Sequence, residues 1–248
     1  AQNALSPPKE NFYLFLLVGQ SNMAGRGKVA AQDTTPHSRL LMLDKTGRWV
    51  PAIDPIHFDK SAAGVGLGKT FGQIVADANP NLTIGLIPCA VGGSPIGAWK
   101  PGEFYEPTKS HPWDDSMERA AIALKSGKLA GILWHQGESD SNRELSDVYE
   151  AKLHDLIKRF REQLQTPHVP FLVGQMGKFN DAPWDEFHEK VDAVHQSLPA
   201  KVSNTAFVSS AGLQHKGDKV HFDAASYREL GKRYAEAFQK LSLRGSFQ

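Results

Sequence analysis

Six short apolar runs alternate with five longer amphipathic segments, and that alternation limits the fold more than any other feature of the chain. The runs cover residues 12–18, 40–43, 83–89, 131–135, 171–175 and 206–208. They lack the polar-apolar alternation of a half-exposed strand, so they read as strands buried on both faces. Between them, residues 71–78, 113–125, 147–165, 184–198 and 224–241 place apolar side chains three to four apart, with Pro or Gly at several ends. Strand and helix patterns in this order predict an α/β protein with a mostly parallel sheet covered by helices on both faces.

At 248 residues and 40% hydrophobic content the chain can bury one sizeable core, and we expect a single domain over residues 1–248. No internal repeat or linker-like tract divides it. The 28 Lys and Arg residues are scattered and balanced by 27 Asp and Glu, which argues against nucleic acid as a partner. No apolar run approaches the length of a membrane span, so a membrane partner is not expected. Cys89 is the sole cysteine, leaving neither an intrachain disulfide nor a thiolate cage for a metal. His135 and Glu138 stand three apart without a third ligand, so no metal site is expected. The start at Ala1-Gln2-Asn3, without Met, suits a mature N-terminus left by signal-peptide removal. A secreted or periplasmic location is the expectation, although a trimmed cytoplasmic chain would begin the same way. Oligomeric state is not legible.

Residues 44–69 break the pattern. They show little periodicity and carry Pro51, Pro55, Gly64, Gly66 and Gly68, which in a compact domain marks a segment that shapes a site or moves. Within it, Ala63-Gly-Val-Gly-Leu-Gly-Lys69-Thr70 approaches a phosphate-cradling loop. Ala63 replaces the first glycine and no strand precedes it, so a glycine-rich entry to the helix around Phe71 is the better reading.

Ligands of open α/β sheets bind beyond the carboxyl ends of the strands, and the unusual residues gather there. Gly19-Gln20-Ser21-Asn22-Met23-Ala24-Gly25 follows the first run, Gly92-Gly93 the third, and Gln136-Gly137-Glu138 the fourth. Ser21 between flanking glycines is a candidate nucleophile. Its Gly-x-Ser-x-Met spacing differs from the Gly-x-Ser-x-Gly elbow, and a Ser-Asn pair after a strand also serves as a turn or helix cap. Near the C-terminus, Asp218-Lys-Val-His221 offers a base, His221, and an acid, Asp218, to orient it. An ordinary turn before a helix would use the same four residues. The Ser21 and Gly93 N–H groups and the Gln136 amide are candidate oxyanion donors. Gln20 and Glu138 join them as oxyanion or substrate-binding residues, Glu138 with three readings: orienting His221 in place of Asp218, touching substrate, or fixing its own loop.

Four blocks, Gly-Gln-Ser21-Asn-Met-Ala-Gly-Arg-Gly, Ile-Pro-Cys-Ala-Val-Gly-Gly93-Ser, Leu-Trp-His-Gln136-Gly-Glu138-Ser-Asp and Asp218-Lys-Val-His221-Phe, resemble the SGNH (GDSL-like) hydrolase superfamily. Within it they resemble the branch of carbohydrate esterase family six and the sialate O-acetylesterase-like domains. The resemblance implies a flavodoxin-like three-layer α/β/α sandwich with a mostly parallel five-stranded sheet and no cofactor. It implies Ser21 as nucleophile, His221 as base, Asp218 as acid (Glu138 the alternative), and an oxyanion hole of Ser21, Gly93 and Gln136. Gln136 stands where the superfamily has asparagine. The implied activity is removal of O-acetyl groups from an acetylated carbohydrate. Acetylxylan is the first expectation and O-acetylated sialic acid the second, with a non-catalytic carbohydrate-binding protein on the same scaffold as the contrasting class. Trp99, Phe104, Tyr105 and Trp113 follow the Gly92-Gly93 loop, where they would either face sugar or join the core.

Overall fold

The computed structural model describes residues 5–245; the Ala1-Gln2-Asn3 start lies outside them. Among the described residues the strands are β1 (Phe12–Gly19), β2 (Leu40–Leu43), β3 (Trp49–Pro51), β4 (Thr83–Pro88), β5 (Lys128–His135), β6 (Phe171–Gly174) and β7 (Thr205–Val208). The α-helices are α1 (Ser21–Ala24), α2 (Gly68–Ala78), α3 (Pro112–Ala123), α4 (Arg143–Ser146), α5 (Tyr149–Gln163), α6 (Glu186–Lys201) and α7 (Ala224–Gly245).

The strands form one sheet in the order β3-β2-β4-β1-β5-β6-β7, parallel throughout except for the β2-β3 hairpin. β1 lies between β4 and β5, which explains its unbroken apolar run. Alternate β1 side chains enter two cores. Phe12, Leu14, Leu16 and Val18 pack with residues of α3, α5 and α6, including Trp113, Phe160 and Leu198. Phe15 and Leu17 pack with α2 and α7, where the Phe15 ring meets Phe71 and Phe238 edge-on at 4.9 Å each. The result is the three-layer α/β/α sandwich expected from the sequence.

The sheet has seven strands among the described residues, not five. β3 adds an antiparallel strand at one edge and β7 a parallel one at the other. β3 has only three residues, too few to show a period. It forms because the Asp44 carboxylate accepts from the Thr46 and Arg48 N–H groups and closes a tight turn after β2. Pro51 ends it on the open edge, where a missing N–H costs no ladder bond. At α6 the expected start near Trp184 moves to Glu186, because Asp185 caps the helix by accepting from the N–H groups of Phe187 and His188.

From β1 the chain passes to β2, returns to β4 beside β1, and then crosses to β5 on the other side of β1. The winding reverses at the carboxyl end of β1, the place where such sheets bind ligands. No helix among the described residues is long and apolar enough to cross a membrane.

Candidate active site

Ser21 opens α1 directly beyond that end. Gly19 has φ +132°, and a Cβ there would lie 2.2 Å from the carbonyl oxygen of His135, so only glycine lets β1 run this close to β5 and then turn. The turn brings the hydroxyl to His221, whose Nε2 lies 2.9 Å from Ser21 Oγ although the two residues are 200 positions apart. On the other side of the ring, Nδ1 lies 2.6 Å from Asp218 Oδ2. A carboxylate there keeps the proton on Nδ1 and leaves Nε2 as the acceptor facing the serine.

Burial raises the Asp218 carboxyl, but hydrogen bonds from the His221 backbone N–H, the His221 ring and the Val220 N–H outweigh it and hold the group down to about 2. The same two backbone bonds to Oδ1, at 2.8 and 3.0 Å, fold residues 218–221 into a tight turn. Lys216 ties this loop to the serine segment by donating to the Arg26 carbonyl.

Asn22 is the residue that sequence reasoning missed. Fully buried, its Nδ2 donates to Glu138 Oε1 and to the Val220 carbonyl, while Oδ1 accepts from the Tyr227 hydroxyl and the Phe222 N–H. One side chain thus fastens the nucleophile turn to the loop carrying His221. The signal was the Ser-Asn pair itself, which a turn explains equally well until the partners are seen.

Glu138 Oε1 accepts from Asn22 Nδ2 at 3.1 Å and makes no hydrogen bond to His221, so it joins the loop after β5 to the nucleophile turn. Burial raises its pKa, against the lowering effect of the Asn22 bond, and Oε2 has no partner. Gln20 and Gly93 are joined through Ser139. The Gln20 amide donates to Ser139 Oγ at 3.2 Å, Ser139 Oγ donates to the Gly93 carbonyl at 2.7 Å, and Gln20 Oε1 accepts from the N–H groups of Gly137 and Ser139. Gly93 has φ +81°, and a Cβ there would come within 2.8 Å of the Tyr105 hydroxyl and 3.9 Å of Lys60 Nζ.

Gln136 requires a correction. It was expected to aim its amide at the oxyanion, but it is fully buried. Its Nε2 donates to the Ser94 carbonyl and to Asp140 Oδ2, and its Oε1 accepts from the Tyr149 hydroxyl. Both amide protons are spoken for in the interior, so Gln136 braces the loop after β5 and does not serve Ser21. Of the aromatic residues near the Gly93 loop, Trp99 and Trp113 join the core while Phe104 is exposed.

The 44–69 stretch reaches the site through Asp59. Its Oδ2 accepts from the Gly92 N–H at 2.8 Å and pairs with Arg26 at 2.9 Å, both partners of the ion pair being nearly inaccessible. Lys69, the lysine of the phosphate-loop look-alike, is buried in α2 and donates to the Gln32 carbonyl. No three His, Cys, Asp or Glu side chains among the described residues gather to hold a metal ion.

A mostly parallel α/β/α sandwich with serine, histidine and carboxylate aligned at the winding reversal has the build of an SGNH-type hydrolase. The family model described as carbohydrate esterase, sialic acid-specific acetylesterase, matches residues 11–240, and the chain belongs to that family. It is therefore an enzyme, a carboxylic ester hydrolase acting on O-acetyl groups of carbohydrate. The chain is 31% identical over 261 residues to a probable carbohydrate esterase of Arabidopsis thaliana, covering 94% of this chain and 91% of that one. The X-ray structure of that plant protein matches with a TM-score of 0.82 at 30% identity, over 94% of this chain and 99% of the other. NanS matches in fold with a TM-score of 0.77 at 18% identity, over 96% and 99% of the two chains. A carbohydrate acetylesterase from Xanthomonas citri does so with 0.68 at 19%, over 93% of this chain and 56% of that one.

Proposed function

We propose that the protein is a single-domain serine esterase that removes O-acetyl groups from acetylated xylan through an acyl-enzyme on Ser21. The observation that carries this reading is the line Ser21 Oγ, His221 Nε2, His221 Nδ1, Asp218 Oδ2, with contacts of 2.9 and 2.6 Å. As Oγ attacks the acetyl carbonyl, His221 Nε2 takes its proton, and the charged Asp218 stabilises the imidazolium. The tetrahedral oxyanion is held by the N–H groups of Ser21 and Gly93 and by the Gln20 amide, whose Nε2 has Ser139 as its one partner among the described residues. Each such donor is worth about 3 kcal/mol in the transition state. Collapse breaks the ester bond, and the departing sugar hydroxyl receives the proton from His221. Water then attacks the acetyl group on Ser21 with His221 again as base, releasing acetate and restoring the serine.

Asp115, exposed on the wall that Ala90 and Val91 share, supports a neutral sugar chain as substrate, while Asp59 is neutralised by Arg26. A second reading, an O-acetylated sialic acid, is favoured by Lys60, whose ammonium lies near Gly93 without an acidic partner among the described residues.

The test is acetate release by wild type and Ser21→Ala from an activated acetyl ester, acetylated xylan and O-acetylated sialic acid. Ser21→Ala should fold normally and lose about 10⁴-fold or more in kcat on the activated ester. In wild type alone, a serine-directed phosphonylating reagent should add one mass increment. Wild-type turnover by Ser21→Ala refutes the mechanism, and action on the sialic acid alone refutes the substrate.

A further inference from the structure

Glu138, Ser139 and Asp140 form a single 3-10 turn after β5, and each side chain reaches a different neighbour. Glu138 takes the Asn22 amide in the nucleophile turn, while Asp140 Oδ2 takes the Ile96 N–H at 2.9 Å, further along the Gly93 loop. With both flanks anchored, the Ser139 hydroxyl is a fixed point between Gly93 and Gln20. Its Oγ lies 2.7 Å from the Gly93 carbonyl and 3.2 Å from Gln20 Nε2. A carbonyl can only accept, so the one hydroxyl proton goes to Gly93 and Oγ is left to accept from Gln20. The Ser139 N–H, 3.3 Å from Gln20 Oε1, holds the other end of that amide. One residue thereby decides which way round the Gln20 amide sits, and the second N–H of Nε2 keeps no partner among the described residues.

We propose that Ser139 is a positioning residue of the oxyanion hole, its hydroxyl setting the Gly93 loop and the Gln20 amide in one geometry so that both donors meet the same oxygen. The role depends on the esterase reading, in which those two groups serve the tetrahedral intermediate. Ser139 itself touches no reacting atom and acts through its partners. The sequence makes such a strap necessary, because Gly92 and Gly93 are adjacent glycines and the peptide between them carries the Gly93 N–H. Two glycines leave that peptide free to turn over and take the donor away from Ser21. Asp59 holds one end by accepting from the Gly92 N–H at 2.8 Å. Ser139 holds the other end through the Gly93 carbonyl. The Gly93 N–H between them has no partner among the described residues and stays available. Donors set in advance need no reorganisation as charge develops, which is the source of their effect on rate. Loss of the Ser139 hydroxyl frees two donors at once, whereas loss of the Gln20 side chain removes one.

The test is turnover of 4-nitrophenyl acetate by wild type, Ser139→Ala and Ser139→Thr, with active sites counted by complete reaction with the serine-directed phosphonylating reagent so that misfolded enzyme is not scored. Per titrated site, kcat and kcat/KM of Ser139→Ala should fall together by roughly 10- to 100-fold, with KM held within about twofold. Methylboronic acid, whose adduct on Ser21 places a boronate oxygen in the oxyanion hole, should weaken as an inhibitor in the same proportion. The acid limb of the pH profile should not move, since the hydroxyl does not touch His221. Ser139→Thr keeps the hydroxyl and should return kcat to within about threefold of wild type. Gln20→Ala should cost no more than about tenfold when added to Ser139→Ala, because the amide is already loose there. Should Ser139→Ala yield no titratable enzyme, Ser139→Cys, whose thiol is a weak donor, takes its place under the same criteria. Unchanged kcat per titrated site overturns the positioning role. So does a loss in Ser139→Thr equal to that in Ser139→Ala, or an undiminished effect of Gln20→Ala in the double variant. A wild type that neither reacts with the reagent nor releases acetate sinks the esterase reading itself, a result that no Ser139 variant could produce.

Discussion

Two loops carry carboxylates to the neighbourhood of Ser21 and treat them in opposite ways. In the loop before α7, Asp218 is partly exposed and accepts from two backbone N–H groups and the His221 ring, so it stays charged far below ordinary carboxylate pH. In the loop after β5, Glu138 and Asp140 are drawn inward, burial raises both, and each has one oxygen without a partner. The difference lies in the balance between desolvation and hydrogen bonds to the charged form. Where the bonds win, a carboxylate can hold an imidazolium; where burial wins, it becomes part of the scaffold.

The largest effect that could break this contrast comes from exchanging each acid for its amide. Asp218→Asn should lower kcat on an activated acetyl ester by about 10⁴-fold, since the amide no longer holds the right tautomer of His221. Glu138→Gln should cost no more than roughly tenfold, through a slight shift of Asn22. Equal losses would mean that the two loops share the orienting role. Acid unfolding checks the same point: the Asp218 bonds stabilise the fold fully above pH 3.8, the ordinary value, and that contribution fades as the pH falls through about 2.

A smaller contrast sets Gln20 against Gln136. Gln20→Ala should reduce kcat of the folded fraction roughly 10²-fold through the lost oxyanion donor, and it should also lower the melting temperature, because the Gly137 and Ser139 N–H groups lose the oxygen they share. Gln136→Met should strip Asp140 and Tyr149 of a buried partner, cost about 1–3 kcal/mol for each group left unpaired, and largely spare kcat of the folded fraction. Reversal of the two results would restore Gln136 to the oxyanion hole.

The smallest effect extends the burial rule beyond the site. Asp54 is raised to about 7, first by burial and then by the nearby charge of Asp33. Its folded pKa lies above its unfolded one, so its stability contribution is complete below pH 3.8 and is lost as the pH rises through about 7. Asp54→Asn should therefore melt higher than wild type at pH 8, by several degrees at about 2–4 °C per kcal/mol, and the gain should shrink toward pH 4. A constant difference across that range would show that Asp54 is not buried in its uncharged form.

Much of this molecule was legible as a string of residues. The apolar runs specified six of the strands because a strand covered on both faces must be apolar throughout, and β1 is covered by two cores. Asp218 and His221 were readable as a pair because a spacing of three places both on one turn, and Ser21 because it lies just beyond a buried strand. Contacts without a local period were not readable. β3 depends on a turn that Asp44 closes, and nothing local says whether the Gln136 amide looks outward to Ser21 or inward to Asp140 and Tyr149. Asn22 is the clearest case. Its four partners come from segments more than a hundred positions away, and a hydrogen bond between distant segments is decided only when the packed sheet brings their ends together. Short-range chemistry along the chain determined which groups are available for catalysis; the tertiary structure decided which of them meet, because burial and hydrogen bonding act on neighbours in space.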